Sequence, residues 1–432
     1  MRYAKRTALV FMLLLLMGQI GWAASENSMV LTLEKALSIA EEQNLDILSA
    51  RQELIRAGGK QVEAKAGGLP SLDAGATYTR REKPDAGSDE ENVNTASLTL
   101  TQPIYQGGRI TAAKRQASIE QRQAEFYYKE VFEQVALNVY NRFYSVLLEK
   151  ENVKTAEDAL LFAEKYLEEV KKKRALGLAT GLEITRAEKQ LAENRTGLIR
   201  ANNNLEIAKI NLLELLNIRP ETSYEIEGAL SYNPIEGDME SSLTKALSSR
   251  ADYQRAKLQV NVADQQIEIA KSGMRPSVSI KGTYRYDDPE QTLYNSKDTW
   301  QASINVDIPV MDSGLTHGRV VQQKAVREQA VHAVNKKEES ILTEVNSVYL
   351  DLETASQVVE EAQINLELAK ETLRLSEVGY REGVGIQLDV LDARASLTNA
   401  RREYSSAVKD YAYAIVRLRK AEGILTEEPV LP

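Results

Sequence analysis

Most of the chain follows one of two patterns of apolar and polar positions. Apolar or small residues recur in alternating steps of three and four from Ile184 to Leu215, and again from Val390 to Ala421. This spacing is typical of a coiled-coil seam. Because many seam positions carry alanine, we expect these helices to pack closely side by side.

Four shorter segments alternate at every second residue and predict two β-hairpins, at residues 69–105 and 275–310. One face of the strands is apolar, with Leu98 and Ile304, and the other is polar, with Thr99 and Ser303. Strands of about ten residues with this alternation are typical of β-strands that cross an outer membrane. Aromatic residues lie near the strand ends, where an interfacial girdle is expected: Tyr78, Tyr105, Tyr284, Tyr286 and Trp300. The alternative is a soluble hairpin with one wet face.

The chain contains two copies of one unit. A shift of about 206 residues superposes landmarks of the two copies: Pro70 on Pro276, Pro103 on Pro309, Gly108 on Gly314 and Gly177 on Gly383. The Lys-Ala-Leu triplets that begin at Lys35 and Lys245 differ by 210 instead, which predicts small insertions near the start. We therefore expect a first repeat at 24–216, a linker at 217–241 and a second repeat at 242–432.

Each repeat is expected to contain an opening helix, the hairpin, a long helix and a returning helix. The first opening helix is predicted at 31–66, the long helices at 107–175 and 314–380, and the returning helices at 181–216 and 388–422. Without an internal proline, a helix of about 69 residues would be roughly 100 Å long. An opening and a returning helix stacked end to end would have the same length as the long helix. This predicts a wall as deep as one long helix.

Four strands are too few to close a barrel, which needs about eight. An open sheet edge is not tolerated in lipid, so membrane strands would have to come from several copies of the chain. Three copies would supply twelve strands. The predicted fold class is therefore mainly α, with long coiled-coil helices and a β-barrel part that several copies of the chain share.

The first 23 residues predict a secretory signal peptide. Basic residues precede an apolar run from Ala8 to Ile20, and the small residues Gly21 and Ala23 favour a mature chain that begins at Ala24. Thirteen apolar residues are too few for a membrane-spanning helix.

Composition excludes several function classes. The chain has 54 Lys and Arg against 63 Asp and Glu, a net charge of −9, which argues against nucleic acid as a partner. It has no cysteine and two histidines, which leaves little for metal sites or nucleophilic catalysis. No phosphate-binding loop or hydrolase motif is present. We expect neither an enzyme nor a cofactor.

The hairpin ends, Thr101 to Gly108 and Asp307 to Gly314, and the stretch from Tyr380 to Ala393 resemble TolC-type outer-membrane efflux proteins. The resemblance covers essentially the whole mature chain. It implies a homotrimer with a twelve-stranded barrel in outer-membrane lipid and a twelve-helix periplasmic tunnel. It also implies an exit duct of a tripartite efflux pump or type I secretion system, with a periplasmic adaptor protein and an inner-membrane transporter as partners.

The resemblance also implies roles for particular residues. Asp389 and Asp392 match a carboxylate ring at the periplasmic entrance, and Tyr380 and Glu183 match a gating contact between helices. Gly385 stands where the best-known members carry an arginine. Residues of the two turns match the adaptor-contact tips: Gly177, Leu178, Gly181, Leu182, Gly383, Val384 and Leu388.

Some residues also allow simpler interpretations. Asp389 and Asp392 lie at a predicted helix start, where acidic side chains stabilise the helix N-terminus by about 0.3–1 kcal/mol each. The charged run from Glu168 to Arg174 is typical of a solvated coiled-coil surface. For the whole chain, the alternative function is a secreted or surface-attached coiled-coil structural or adhesive protein.

Overall fold

The computed structural model describes residues 29–81, 91–219, 224–235, 237–289 and 297–426. The predicted signal peptide at 1–23 lies outside these residues, as do most of the loops at the hairpin ends. The described chain is mainly helical and contains two helices of 67 residues each. The predicted class, long helices combined with a β part, is confirmed.

The two repeats contain the same series of elements. The first consists of β1 (Met29–Leu31), α1 (Leu33–Gln43), α2 (Leu45–Ala66), β2 (Ser71–Arg81), β3 (Glu91–Gln106), α3 (Arg109–Ala175) and α4 (Gly181–Leu215). The second consists of β4 (Tyr224–Ile226), α5 (Met239–Ser249), α6 (Ala251–Lys271), β5 (Ser277–Pro289), β6 (Lys297–Asp307), α7 (Leu315–Arg381) and α8 (Gln387–Glu422). Helix α5 therefore begins inside the segment 217–241 that was expected to be a linker.

The repeats are in register from their first helices onward. Helix α1 begins at Leu33 and α5 at Met239, a difference of 206. The prediction of insertions near the start is therefore wrong, and the two Lys-Ala-Leu triplets are not equivalent. Ala40, not Ala36, corresponds to Ala246, and both Ala40 and Ala246 are buried.

The predicted continuous opening helix over 31–66 is also wrong. Asn44 ends α1 and begins α2, with an extended backbone at φ −65° and ψ 131°. Its side-chain oxygen accepts hydrogen bonds from the backbone N–H groups of Asp46 and Ile47, at 3.0 and 3.3 Å. An asparagine that caps a new helix in this way stabilises the break. Arg250 makes the equivalent break between α5 and α6.

The helices form a wall in which each long helix changes neighbours along its length. Near the sheet the lateral order is α2, α3, α6 and α7, and beyond the middle it is α4, α3, α8 and α7. The largest buried cluster lies at this middle level, around Tyr140, Phe143 and Tyr144 of α3. None of the helices in the described part of the chain carries an apolar stretch sufficient to cross a bilayer.

The four long strands form one antiparallel sheet in the order β2-β3-β5-β6. Paired residues put apolar side chains on one face, for example in the row Ala74, Leu98, Tyr284 and Trp300. The next row, Asp73, Thr99, Thr283 and Gln301, lies on the polar face. A bulge between Pro103 and Tyr105 brings Tyr105 opposite Val278, on the apolar side. Strands β2 and β6 are the edges.

Candidate functional site

The end of the wall that is farthest from the sheet consists of two short turns, 176–180 between α3 and α4 and 382–386 between α7 and α8. We call these turns the tips. Gly177 and Gly383 have φ of 74° and 76°, the left-handed region in which glycine is favoured. In both tips the next residue returns a backbone N–H to the preceding helix: Leu178 to Lys173 and Val384 to Gly379, each at 2.9 Å. The two tips therefore share one backbone geometry.

Both tips expose apolar side chains to solvent. Val384 is 87% exposed and Leu178 74%. Further apolar side chains exposed at the tips are Leu176, Leu182, Ile386 and Leu388. Glycines Gly177, Gly181 and Gly383 leave open space around the backbone. Such surfaces indicate contact with another macromolecule.

Acidic residues cap the helices that leave the tips. The carboxylate of Glu183 accepts the backbone N–H of Thr180 at 2.5 Å, and the Thr180 hydroxyl accepts the N–H of Glu183 at 3.2 Å. The Thr180 backbone N–H, and the Thr180 hydroxyl that donates to the same carboxylate at 3.0 Å, hold the pKa of Glu183 below its ordinary value. At the equivalent position, Asp389 accepts the N–H of Ile386 at 3.2 Å. Asp389 thus has the helix-capping role, while its side chain and that of Asp392 are exposed.

Tyr380 contacts the first repeat through a residue that the sequence did not single out. Lys173 Nζ lies 4.2 Å from the centre of the Tyr380 ring, a cation–π distance, and 2.9 Å from Glu169. Burial disfavours the charge of Lys173, but Glu169 and Tyr380 outweigh this and raise its pKa. Among the described residues, Tyr380 and Glu183 form no hydrogen bond to each other. Their gating contact stays a prediction.

A second link joins α8 to the first repeat beside this contact. The buried Gln387 donates its side-chain N–H to the backbone oxygen of Glu183 at 3.4 Å. The Tyr166 hydroxyl is buried beside the Gln387 side chain, and burial raises the pKa of this hydroxyl.

Gly385 has a steric role in the tip. A Cβ atom there would lie 3.2 Å from the backbone of Gly379 and of Tyr380. A side chain at this position would therefore require the backbone at the end of α7 to shift by a few tenths of an ångström.

Farther from the tips, α8 is held on α3 by arginines. Arg394 donates to the Asp158 backbone oxygen at 3.2 Å, and Arg401 to the Asp158 carboxylate at 2.7 Å. The guanidinium of Arg394 lies 4.6 Å from the centre of the Phe162 ring. In the sequence, the sign of this cluster is a pair of arginines, Arg394 and Arg401, on the predicted returning helix. Within the described ranges, no group of three or more acidic or histidine side chains is arranged to hold a metal ion.

Comparison with known proteins gives concordant results. A family model described as outer membrane efflux protein matches residues 36–217 and 243–423. The outer membrane protein TolC of Vibrio cholerae is 23% identical over 408 residues, which cover 91% of this chain and 90% of that protein. The cobalt-zinc-cadmium resistance protein CzcC of Cupriavidus metallidurans is 24% identical and covers 87% of this chain and 85% of its own. The structure of the Campylobacter jejuni CmeC outer membrane channel superposes with a TM-score of 0.78 at 19% identity, covering 90% of this chain and 85% of that one.

Proposed function

The chain belongs to the outer membrane efflux protein family, and from this premise we propose that three copies assemble into one gated exit channel. The prediction of an outer-membrane exit channel with a periplasmic helical domain is confirmed, and the structural or adhesive alternative is not supported. The assembly, the entrance and the partners are our proposal.

The observation that carries the proposed assembly is a relation between the edge strands and the paired strands of the sheet. The edge strands β6 and β2 are the repeat equivalents of β3 and β5, which pair with each other. Within the chain, β3 pairs with β5, and Leu98 lies opposite Tyr284. A shift of 206 converts β3 into β6 and β5 into β2. If the same pairing joins neighbouring copies, Ile304 lies opposite Tyr78 of the next copy. Both edges would then be satisfied, as lipid requires.

The second long helix supports the same arrangement. Leu350 of α7 is 60% exposed, whereas its equivalent Tyr144 of α3 is 2% exposed. Further exposed apolar residues follow along α7 at helical spacing: Ile364, Leu368 and Leu375. Such a stripe is suited to a neighbouring copy. Three copies give twelve strands, whereas the interior of an eight-stranded barrel is filled by its own side chains and leaves no wide duct.

We place the entrance at the tips, where Asp389 and Asp392 would contribute six carboxylates around the trimer axis. Like charges crowded around an axis attract cations and repel one another. The contacts of Tyr380 with Lys173 and of Gln387 with Glu183 would hold the two repeats together in the closed state.

The exposed apolar side chains of the tips are the proposed surface for a periplasmic adaptor protein. Leu178, Leu182, Val384 and Leu388 would pack against it, and the glycines would allow close backbone approach. An inner-membrane transporter would then deliver substrate into the duct. The chain would act as a passive conduit without a catalytic step.

A cysteine cross-link tests the assembly. Tyr78→Cys and Ile304→Cys in one chain should give covalent trimers on oxidation, because directly paired residues have Cβ atoms about 4.5–5.5 Å apart. The control combines Tyr78→Cys with Ser303→Cys, whose side chain lies on the opposite face of the sheet. Monomers only, or equal yields for both pairs, would contradict the proposed register.

A further inference from the structure

A cavity of about 230 Å³ lies between α3, α4 and α8, about one to six helical turns from the tips. Helix α3 contributes only the apolar lining residues Ala156, Ala159 and Phe162. The two returning helices contribute the polar lining side chains, including Asn194 and Arg394. The cavity is therefore amphipathic and large enough for a small molecule.

Arg394 lines this cavity with a guanidinium group whose N–H groups are not all hydrogen-bonded. Its Nη2 atom donates to Asp158 and its plane covers Phe162, but its buried Nε atom has no acceptor among the described residues. Burial and the neighbouring charge of Arg401 lower the pKa of Arg394. The guanidinium lines the cavity, and its positive charge would attract an incoming anion.

The other charges that line the cavity leave it net positive. Arg402 contributes a second guanidinium, and Glu193 is the one acidic side chain among the lining residues. Amide groups of Gln190, Asn194 and Asn399 add neutral donors. Guanidinium and amide donors facing an apolar wall are the groups that recognise a carboxylate attached to an apolar body.

We propose that this cavity binds a small amphipathic carboxylate, one molecule in each chain. The guanidinium groups of Arg394 and Arg402, eight residues apart on α8, attract the carboxylate, and the apolar part lies against Ala156, Ala159 and Phe162. Helices α3 and α4 belong to the first repeat and α8 to the second, so the ligand joins the two repeats near the tips. An effect of the ligand on channel opening rests on the proposed function, whereas its binding does not.

The duplication supplies an internal control. The repeat equivalents of Arg394 and Arg402 are Glu188 and Thr196, a reversed charge and a neutral residue. The corresponding surface of the other returning helix therefore lacks the cations that the ligand requires. We expect three sites in a trimer, not six.

Calorimetry on the purified full-length protein in detergent tests the proposal, with benzoate as the probe and benzamide as its neutral control. Benzoate should bind with one molecule per chain, and benzamide should give no comparable heat. Arg394→Gln and Arg402→Gln should each weaken benzoate about tenfold or more, since hydrogen bonds to charged groups contribute on that scale. Arg195→Gln, at the repeat equivalent of Arg401 and outside the cavity lining, should bind as the unaltered protein does.

Arg402 decides the outcome if Arg394→Gln fails to fold, because Arg402 is exposed and its replacement leaves the Phe162 contact intact. Equal binding of benzoate and benzamide would overturn the proposal, as would equal affinities of Arg402→Gln and Arg195→Gln. A protein that binds benzoate but conducts no ions would refute the channel entrance and leave this site standing.

Discussion

Asn44 and Arg250 hold equivalent positions in the two repeats, and each donates a side-chain hydrogen bond to a carbonyl at the end of its returning helix. Asn44 Nδ2 lies 2.9 Å from the Leu215 oxygen, and Arg250 Nη1 lies 3.3 Å from the Ala421 oxygen. Asn44 also caps the helix that follows it, which Arg250 cannot do. Arg250 instead pairs with Asp252 and Glu344, at 2.9 and 2.7 Å. The same helix break is therefore stabilised by different chemistry in each repeat.

Replacing Asn44 should separate its two roles. Asn44→Ala removes the cap and the bond to Leu215, and we expect a loss of about 2 kcal/mol of unfolding free energy. Asn44→Asp keeps the cap but cannot donate, so its loss should be smaller. Urea unfolding followed by circular dichroism measures both. If Asn44→Ala is as stable as the unaltered protein, the break does not depend on this side chain.

Glu133 should make stability depend on pH. It is buried, its Oε1 atom accepts no hydrogen bond from the described residues, and burial raises its pKa from 4.5 to about 7. The charged groups that face it are Lys129 on its own helix, Arg250 and Asp252 on α6 and its N-terminal break, and Lys420 on α8. Because the folded protein raises this pKa, it is more stable when Glu133 is protonated. This contribution to stability is complete below pH 4.5 and is lost as the pH rises through about 7, where the carboxylate ionises.

Glu133→Gln should remove that dependence. Its melting temperature relative to the unaltered protein should be higher at pH 8 than at pH 5. Glu151→Gln is the matched control, because Glu151 lies on the same helix with its side chain 47% exposed. If the melting temperatures of the Glu133 variant and the unaltered protein change in parallel with pH, burial does not raise the pKa of Glu133 and the prediction is wrong.

Lys173→Gln should loosen the contact between the tips. It removes the cation–π interaction with Tyr380, which contributes about 0.5–1 kcal/mol at an exposed site. We expect a larger single-channel conductance in planar bilayers. Lys172→Gln is the control, because Lys172 pairs with Glu168 of its own helix at 2.7 Å. Identical conductances for the two variants would exclude Lys173 from gating.

The pair Asp389→Ala and Asp392→Ala should weaken cation selectivity and block by divalent cations added on the periplasmic side. The cause is the loss of six carboxylates from the proposed entrance. Asp389→Asn with Asp392 retained separates charge from capping, since an asparagine still accepts the N–H of Ile386. Unchanged currents in the double variant would leave these residues with their capping role alone.

Ile304→Arg should impair insertion into the outer membrane, at about 2–4 kcal/mol for a site near the middle of the bilayer. Ile304 lies on the apolar face of the sheet and Ser303 on the polar face. Ser303→Arg should therefore insert almost normally. Heat-modifiable mobility of membrane fractions distinguishes the two, and equal defects would reverse our assignment of the lipid face.

The sequence predicts those parts of the fold that depend on local spacing. Helical periodicity and the glycines at Gly177 and Gly383 indicate the long helices and their tips, because left-handed turns favour glycine. The break at Asn44 has a local signal in the asparagine cap, but its second hydrogen bond, to the Leu215 carbonyl 171 residues away, has none.

The same limit applies to the candidate site. Lys173 belongs to a run of charges that looks like solvated surface, and only the contact with Tyr380 from the other repeat gives it a role. Arg394 is likewise defined by Phe162 and Asp158 of α3, far from it in the chain. Residues that join the two repeats carry no local pattern by which to recognise them.

The change of neighbours along α3 and α7 has a mechanical consequence. The shorter helices of each repeat end or begin at the middle level, so within the described ranges only these two long helices run unbroken from the sheet to the tips. A force applied at the tips is therefore transmitted to the sheet through two continuous helices per chain. The shorter segments meet at the middle level, where hydrogen bonds such as that of Asn44 and the buried cluster around Tyr140 join them.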